Sequence, residues 1–342
     1  MYMDFLKYLK RTLFWKYSLI FIISPFLNFI WKNIINFNGR ILYFFWFVKK
    51  REFINLENKN IKLLKDNLLL TKLATNIFNS CNVKILNQAK QTILESCNEE
   101  LNETNSKSNK YSIDIYSKLD QKIKDEIFAF ASSDLMVTTA AKHLGIYPIL
   151  SNIILNYNIP RKPEKIRGAM LWHRDDLGYK SLDLFLSVSD LNDDNGPLYA
   201  SKIDNKLGVL SRIDSFIKNP VKGERQKITL DKFALYTAGS EIIELKGKKG
   251  TGLLIDSITT YHRGGHCKNK ERLMLRISYQ GIDYVPLKEK IIKELVFDTT
   301  IKEYNFNDIF KKHLLFKRSK IFNTKIKNVL TNFYNKISYK FL

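Results

Sequence analysis

The chain has 342 residues, 45% of them hydrophobic, with only 14 Gly and 7 Pro. That supports one large core with added helices, or two domains, and excludes a disordered or low-complexity chain. The net charge of +22 would suit nucleic acid or an anionic membrane, but no helix-turn-helix, zinc-finger or RNP-like motif is present, so nucleic acid is not the expected partner.

The charge sits at the ends. Residues 1–51 hold nine Lys/Arg against one acid, Asp4, and residues 301–342 hold ten against two, Glu303 and Asp308. Each end therefore carries +8, leaving +6 for the rest. Three cysteines, Cys81, Cys97 and Cys267, are odd in number and far apart, which gives no disulfide framework or zinc ribbon and fits a reducing, cytoplasmic setting.

Residues 1–56 form an aromatic, basic arm. The first 51 include 16 aromatics, Trp15, Trp31 and Trp46 among them. Two apolar runs, Ser18–Trp31 and Ile41–Val48, are each shorter than the ~20 residues a spanning helix needs. Lys16, Lys32, Arg40, Lys49, Lys50 and Arg51 flank them. Aromatic and cationic flanks suit a bilayer interface, so residues 1–51 are expected to contact an anionic membrane surface peripherally, on its inner face. Packing against the protein's own core and a spanning or re-entrant hairpin are the competing readings.

Residues 57–145 read as a helical region packing on the core. Apolar positions recur at three- and four-residue spacing in Ile61–Ile77 and Ile123–Phe130, and Asn98–Lys110 reads as a polar loop. Asp134 is placed to cap a helix running to about His143, with Gly145 just past its end. His143 and His313 read as surface residues.

The period changes for residues 146–286. Ile149–Tyr157, Leu182–Val188, Phe233–Tyr236, Glu241–Leu245, Gly252–Asp256 and Leu273–Tyr279 are short strand candidates separated by turns, the pattern of a β-sandwich or jelly roll. Residues 287–342 return to a basic, helical tail.

The chemistry lies in three segments. In Leu171-Trp172-His173-Arg174-Asp175-Asp176, His173 and Asp175 are two apart, so on a strand both would face one metal ion. His-x-Asp alone is common on surfaces; Asp176 would point away. The second segment is Asp256-Ser257-Ile258-Thr259-Thr260-Tyr261-His262-Arg263-Gly264-Gly265-His266, read as a strand running into a Gly-rich turn with His262 at its end and His266 as a weaker ligand candidate. Two histidines and a carboxylate are the facial set of non-haem Fe(II) oxygenases, whereas zinc more often takes three histidines or cysteines. In the third segment, Glu271–Tyr279, Arg272, Met274, Arg276 and Ser278 would share one strand face. An inward Arg suits the distal carboxylate of 2-oxoglutarate, or pairs with a core acid such as Asp183 or Asp256.

These segments resemble the phytanoyl-CoA dioxygenase family of Fe(II)/2-oxoglutarate oxygenases. The shared elements, in order, are Trp172-His173-Arg174-Asp175, the strand Leu186–Asp190, the turn Asn195-Gly196-Pro197-Leu198, His262-Arg263-Gly264-Gly265 and Arg272. The match covers roughly residues 135–285. It implies a double-stranded β-helix (a jelly-roll variant) with outer helices, iron at His173, Asp175 and His262, and 2-oxoglutarate held by Arg272. His262 to Arg272 is one residue shorter than the family's usual spacing, which keeps Arg276 as a second anchor. Gly264 stands where some members carry a hydroxyl, and the family's Gly-Ser-His element is missing after Leu198.

The expected function is therefore a dioxygenase hydroxylating a small molecule with Fe(II), 2-oxoglutarate and dioxygen. The substrate itself is not readable. Lys206, Lys218, Lys222, Arg225 and Lys227 in the Asp204–Lys232 insertion would attract an anionic one, and the aromatic arm suits a lipid-linked one. The alternative is a non-catalytic, membrane-associated jelly-roll protein.

Overall fold

The computed structural model describes residues 28–29, 31–47, 51–56, 60–100, 112–160, 168–175, 180–202, 241–281, 310 and 313–315. The strand expected at Phe233–Tyr236, the Asp204–Lys232 insertion, Asp176 and most of both basic ends lie outside them.

A π-helical turn, Trp31–Ile35, leads into α1 (Phe37–Phe47). Helices α2 (Leu68–Ser80), α3 (Val83–Glu100), α4 (Gln121–Ala131) and α5 (Asp134–Leu144) follow. Asn67 caps α2 by accepting the N–H of Leu70. The cap of α5 is Ser133, not Asp134: the Ser133 hydroxyl accepts the N–H of Met136. Asp134 is the first helical residue, where its charge meets the positive helix end and the Arg51 guanidinium. Gly145 ends α5 with φ 72°, a left-handed conformation that favours glycine.

The region 57–145, read as helices joined by a loop, contains two strands, β1 (Ile61–Leu64) and β2 (Ser112–Asp114). Ile61–Leu64 departs from the helical expectation because its backbone pairs with a strand far along the chain, Ile61 opposite Ile255. Asp66, with φ 54°, then turns the chain into Asn67 and α2. Helix α3 also reaches Glu100, into the stretch read as loop.

The remaining strands are β3 (Ile149–Asn158), β4 (Ser181–Ser187), β5 (Leu198–Lys202), β6 (Glu241–Leu245), β7 (Gly252–Ile255), β8 (His262–Gly264) and β9 (Arg272–Gln280). One sheet has the order β1-β7-β4-β9-β3-β2 and the other β6-β5-β8, with all pairings antiparallel. An isolated bridge from His173 to His262 adds a fourth member beside β8. From β3 onward the chain passes repeatedly between the sheets: β3 large, His173 small, β4 large, β5 and β6 small, β7 large, β8 small, β9 large. That alternation makes the protein a double-stranded β-helix, as the strand pattern predicts.

Alternation along the strands builds two apolar layers. Leu182, Leu184, Leu186, Leu273, Leu275 and Ile277 face the helices. Phe185, Leu253, Ile255 and Met274 face the small sheet and meet Leu198, Ala200, Ile243 and Leu245. Tyr279 belongs to the helix side and fills the core instead of lining the space between the sheets. Its buried hydroxyl donates to the Ala131 carbonyl at 2.7 Å, tying β9 to the end of α4. Tyr279→Phe removes one buried hydrogen bond, and chemical denaturation should show a loss of about 1 kcal/mol.

Candidate metal centre

His173 and His262 are far apart in sequence and become a cross-strand pair. Their backbones exchange two hydrogen bonds, His173 N–H to His262 O at 3.0 Å and His262 N–H to His173 O at 2.9 Å. The rings then lie with centroids 4.4 Å apart. Asp175 is positioned beyond the bridge by its N–H, which donates to Ser257 O at 2.9 Å. The structure thus differs from the expected His-x-Asp strand, since the segment is held by isolated bridging at His173 and a backbone hydrogen bond at Asp175 instead of by a continuous strand. His262 opens β8 instead of closing a strand, because β7 stops at Ile255 and Asp256–Thr260 turns back, with the N–H groups of Thr259 and Thr260 on Asp256 O.

The three side chains converge. Asp175 Oδ1 lies 3.7 Å from His173 Nε2 and 3.7 Å from His262 Nε2. Among the described residues, this is the one group of three His, Cys, Asp or Glu side chains placed to hold a metal ion. The donor chemistry fits one. His173 Nδ1–H donates to Leu171 O at 2.8 Å, and His262 Nδ1–H to Thr260 O at 3.1 Å. A carbonyl can only accept, so each Nδ1 carries the proton and each Nε2 presents its lone pair to the shared space. Burial, reinforced by His262 and Arg276, pushes His173 down to about 4 against the pull of Asp175, so its ring stays neutral at neutral pH. Burial alone would raise the Asp175 carboxyl, but Arg276 and the two histidines hold it well below the usual carboxylate range.

Behind Asp175 lies a buried polar network that the sequence pattern only hinted at. On β9, Arg276 faces inward, opposite Phe185 and diagonal to Asp183. Its Nη2 donates to Asp175 Oδ2 and its Nε donates to Asp183 Oδ1 at 3.0 Å. Arg276 therefore takes one Asp175 oxygen and leaves Oδ1 directed at the two rings. Asp183 is wholly buried and also accepts the hydroxyls of Ser278, Ser257 (2.5 Å) and Ser181 (3.1 Å). A core acid is thus the partner of one inward Arg, as the strand pattern allows, and Asp183 pairs with Arg276.

Arg272 lies elsewhere on the same face. It is opposite Asn158, whose Oδ1 accepts from Nε at 3.3 Å, and its Nη1 donates to the carbonyls of Gly196 and, at 3.2 Å, Gly265. The two glycine motifs meet here. A Cβ on Gly196 would come within 2.4 Å of the His266 backbone, and one on Gly265 within 2.5 Å of Pro197 O. Only bare backbone lets both carbonyls reach one guanidinium. A Cβ on Gly264 would lie 3.6 Å from Arg272 Nη2, which puts the guanidinium beside β8 two residues past His262.

The other residues singled out from the sequence fall outside this group. His266, half-buried, is not among the converging side chains. His143 is a correction: it is not on the surface but has a side chain only 3% exposed, 3.2 Å from Asp256. His313 is likewise part-buried, beside Tyr147 O. Asp256 Oδ1 accepts the N–H groups of Ile258 and Thr259, so the His143–Asp256 contact braces the turn that leads to His262. Nothing local in the sequence marks that pair. Trp172 is a buried wall residue, packed with Tyr261 and half-buried Tyr199, with the Arg263 guanidinium 4.1 Å from the Tyr199 ring centre.

No protein-family model and no curated protein sequence matches this chain. Solved structures with a related course of the chain include EctD from S. alaskensis with 2-oxoglutarate and 5-hydroxyectoine (16% identity, TM-score 0.41, 66% of this chain and 73% of that one). AviO1 from Streptomyces viridochromogenes Tue57 is 13% identical with TM-score 0.36, over 74% and 97%. The epimerase SnoN, in complex with Fe3+, alpha ketoglutarate and nogalamycin RO, is 12% identical with TM-score 0.36, over 69% and 92%.

Proposed function

We propose that the chain is a non-haem Fe(II), 2-oxoglutarate-dependent dioxygenase, similar to the phytanoyl-CoA dioxygenase family, that hydroxylates a small molecule. His173, Asp175 and His262 are the iron ligands. The observation that carries this reading is the freeing of both Nε2 lone pairs beside one fixed carboxylate oxygen, the donor set of the facial triad. With iron bound, such a site uses dioxygen and 2-oxoglutarate to put one oxygen into a substrate C–H bond, releasing carbon dioxide and succinate.

The residues of this chain supply position and charge. The two Nδ1 hydrogen bonds fix ring tautomer and direction. Arg276 holds Asp175 Oδ2, so that Oδ1 is the carboxylate oxygen that would hold the ion. Arg272 is the preferred anchor for the distal carboxylate of 2-oxoglutarate. Arg276 pairs with two carboxylates, Asp175 and Asp183; Arg272, hydrogen-bonded to Asn158 and to the carbonyls of Gly196 and Gly265, lies beside Gly264, near His262, with a planar fork suited to a carboxylate.

Succinate formation from 2-oxoglutarate, with and without Fe(II), tests the reading. Iron-dependent succinate is expected even without the prime substrate, as slow uncoupled turnover. If no succinate forms and neither Fe(II) nor 2-oxoglutarate raises the melting temperature, the oxygenase reading fails and the non-catalytic jelly-roll alternative takes its place.

A further inference from the structure

Half of the large exposed hydrophobic side chains among the described residues lie within one short stretch: Phe29, Ile34, Phe37, Ile41, Phe44 and Phe45, each at least 39% exposed. Four of them are on α1. Positions 37, 41, 44 and 45 fall within about 100° of the helix circumference, at 100° per residue. The opposite side carries Gly39 and Trp46, both buried. Trp46 packs edge-on against Tyr147 at 5.0 Å, and its indole N–H donates to Thr138 at 2.9 Å. Helix α1 is thus fixed to the body by one face while an aromatic face turns outward. Soluble proteins seldom leave so contiguous an apolar patch uncovered.

Three described residues near the C-terminal end of the chain pack behind the same helix. Phe310 packs on Trp46 at 4.9 Å and on Tyr147 at 5.0 Å, Leu314 is buried, and the His313 ring lies 3.2 Å from Tyr147 O. Phe310 therefore docks on the inner face of α1, with His313 beside it on Tyr147. Each of the stretches 1–51 and 301–342 carries +8 by sequence, and α1 belongs to the first and Phe310 to the second. Arg40 marks the border of the apolar face, with its guanidinium 4.7 Å above the Phe44 ring and a hydrogen bond to Gly145 O at 3.0 Å.

We infer that the outer face of α1 is a docking surface for an anionic phospholipid bilayer, with the aromatic side chains entering the interface, Arg40 at its border, and the positive charge of the surrounding sequence favouring anionic headgroups. Aromatic rings bordered by cations are the side-chain set of a bilayer interface. Nucleic acid would be met by the charge alone and would leave four apolar side chains in water. Helix α1, 11 residues and so ~16 Å long, is too short to cross a ~30 Å hydrocarbon layer, and among the described residues no helix is long and apolar enough to do so. It would lie along the surface. The inference is independent of the metal centre.

Vesicle co-sedimentation of the full chain tests it, comparing phosphatidylcholine vesicles with vesicles that also contain phosphatidylglycerol. The chain should pellet with the anionic vesicles only, and raised salt should release it. The double variant Phe44→Asp, Phe45→Asp should lose at least about tenfold in vesicle affinity. Both side chains are exposed, so its melting temperature and Fe(II) binding should match the wild type. Four outcomes would overturn the inference. Equal pelleting of the variant would place the contact elsewhere. Binding to heparin without binding to vesicles would mean a nucleic-acid-like partner. A wild-type dimer that becomes monomeric in the variant would mean that a second copy covers the face. A sharp fall in the variant's melting temperature, with no vesicle binding by the wild type, would mean that residues 1–27 of the same chain cover it.

Discussion

His173→Ala and His262→Ala should each lower Fe(II) affinity by more than about 100-fold and abolish succinate formation, while unfolding free energy falls by only about 1–3 kcal/mol. Removing an outer partner of a metal ligand already costs about 10–100-fold, so on the proposed assignment losing one of three ligands would cost more. The stability effect is smaller because each ring has one hydrogen bond to hold it, from Nδ1 to a carbonyl two residues back in the chain. The bridge between residues 173 and 262 is made by backbone atoms and survives in alanine. Isothermal titration of Fe(II) under anaerobic conditions, beside a denaturation curve, separates the two quantities. Fe(II) affinity that is unchanged in both variants would remove these histidines from the ligand set. A stability loss as large as the binding loss would make the pair a structural feature of the sheet.

Much of this arrangement is legible from local chemistry. Branched and aromatic runs mark β3, β4, β6, β7 and β9, and three- and four-residue spacing marks most of α2 and α4. The site segments stand out because their residue types are uncommon in combination: His-x-Asp, a distant His before two glycines, and arginines on an otherwise apolar strand. What escaped had a non-local cause. Ile61–Leu64 continues a helix-like spacing, and only its pairing with Gly252–Ile255 makes it a strand. Leu198–Lys202 lacks β-branched residues, and its extended form comes from neighbours on both sides, β6 and β8. His143 sits beside Lys142 on a helix that looks exposed from its sequence, yet its ring is buried against Asp256 from another layer. Burial of a polar side chain is decided by what the fold brings over it, so neither His143–Asp256 nor the convergence of Ser181 and Ser257 on Asp183 leaves a mark in the sequence.

Asp183→Ala should be the most destabilising single change at the site, costing about 3–5 kcal/mol, because it leaves a buried guanidinium with one of its two carboxylates and strips three hydroxyls of their acceptor. A depressed thermal transition in the metal-free protein reads this directly. The same physics predicts a rescue. Replacing a buried ion pair with apolar residues of similar volume is often neutral for stability, so Asp183→Leu combined with Arg276→Met should recover most of the loss. It should not recover the metal site. Without Arg276, nothing holds Asp175 Oδ2, and the carboxylate is free to turn both oxygens toward an ion or neither. The rescued double variant should therefore melt near the wild-type temperature and bind Fe(II) about 10–100-fold more weakly. If it bound Fe(II) as tightly as wild type, Arg276 would be a core residue that happens to touch Asp175. If its stability did not return, the serine hydroxyls left facing an apolar side chain would be the larger cost. That separation of stability from metal affinity would mark Arg276 as a positioning residue, one that sets how many oxygens Asp175 presents to an ion.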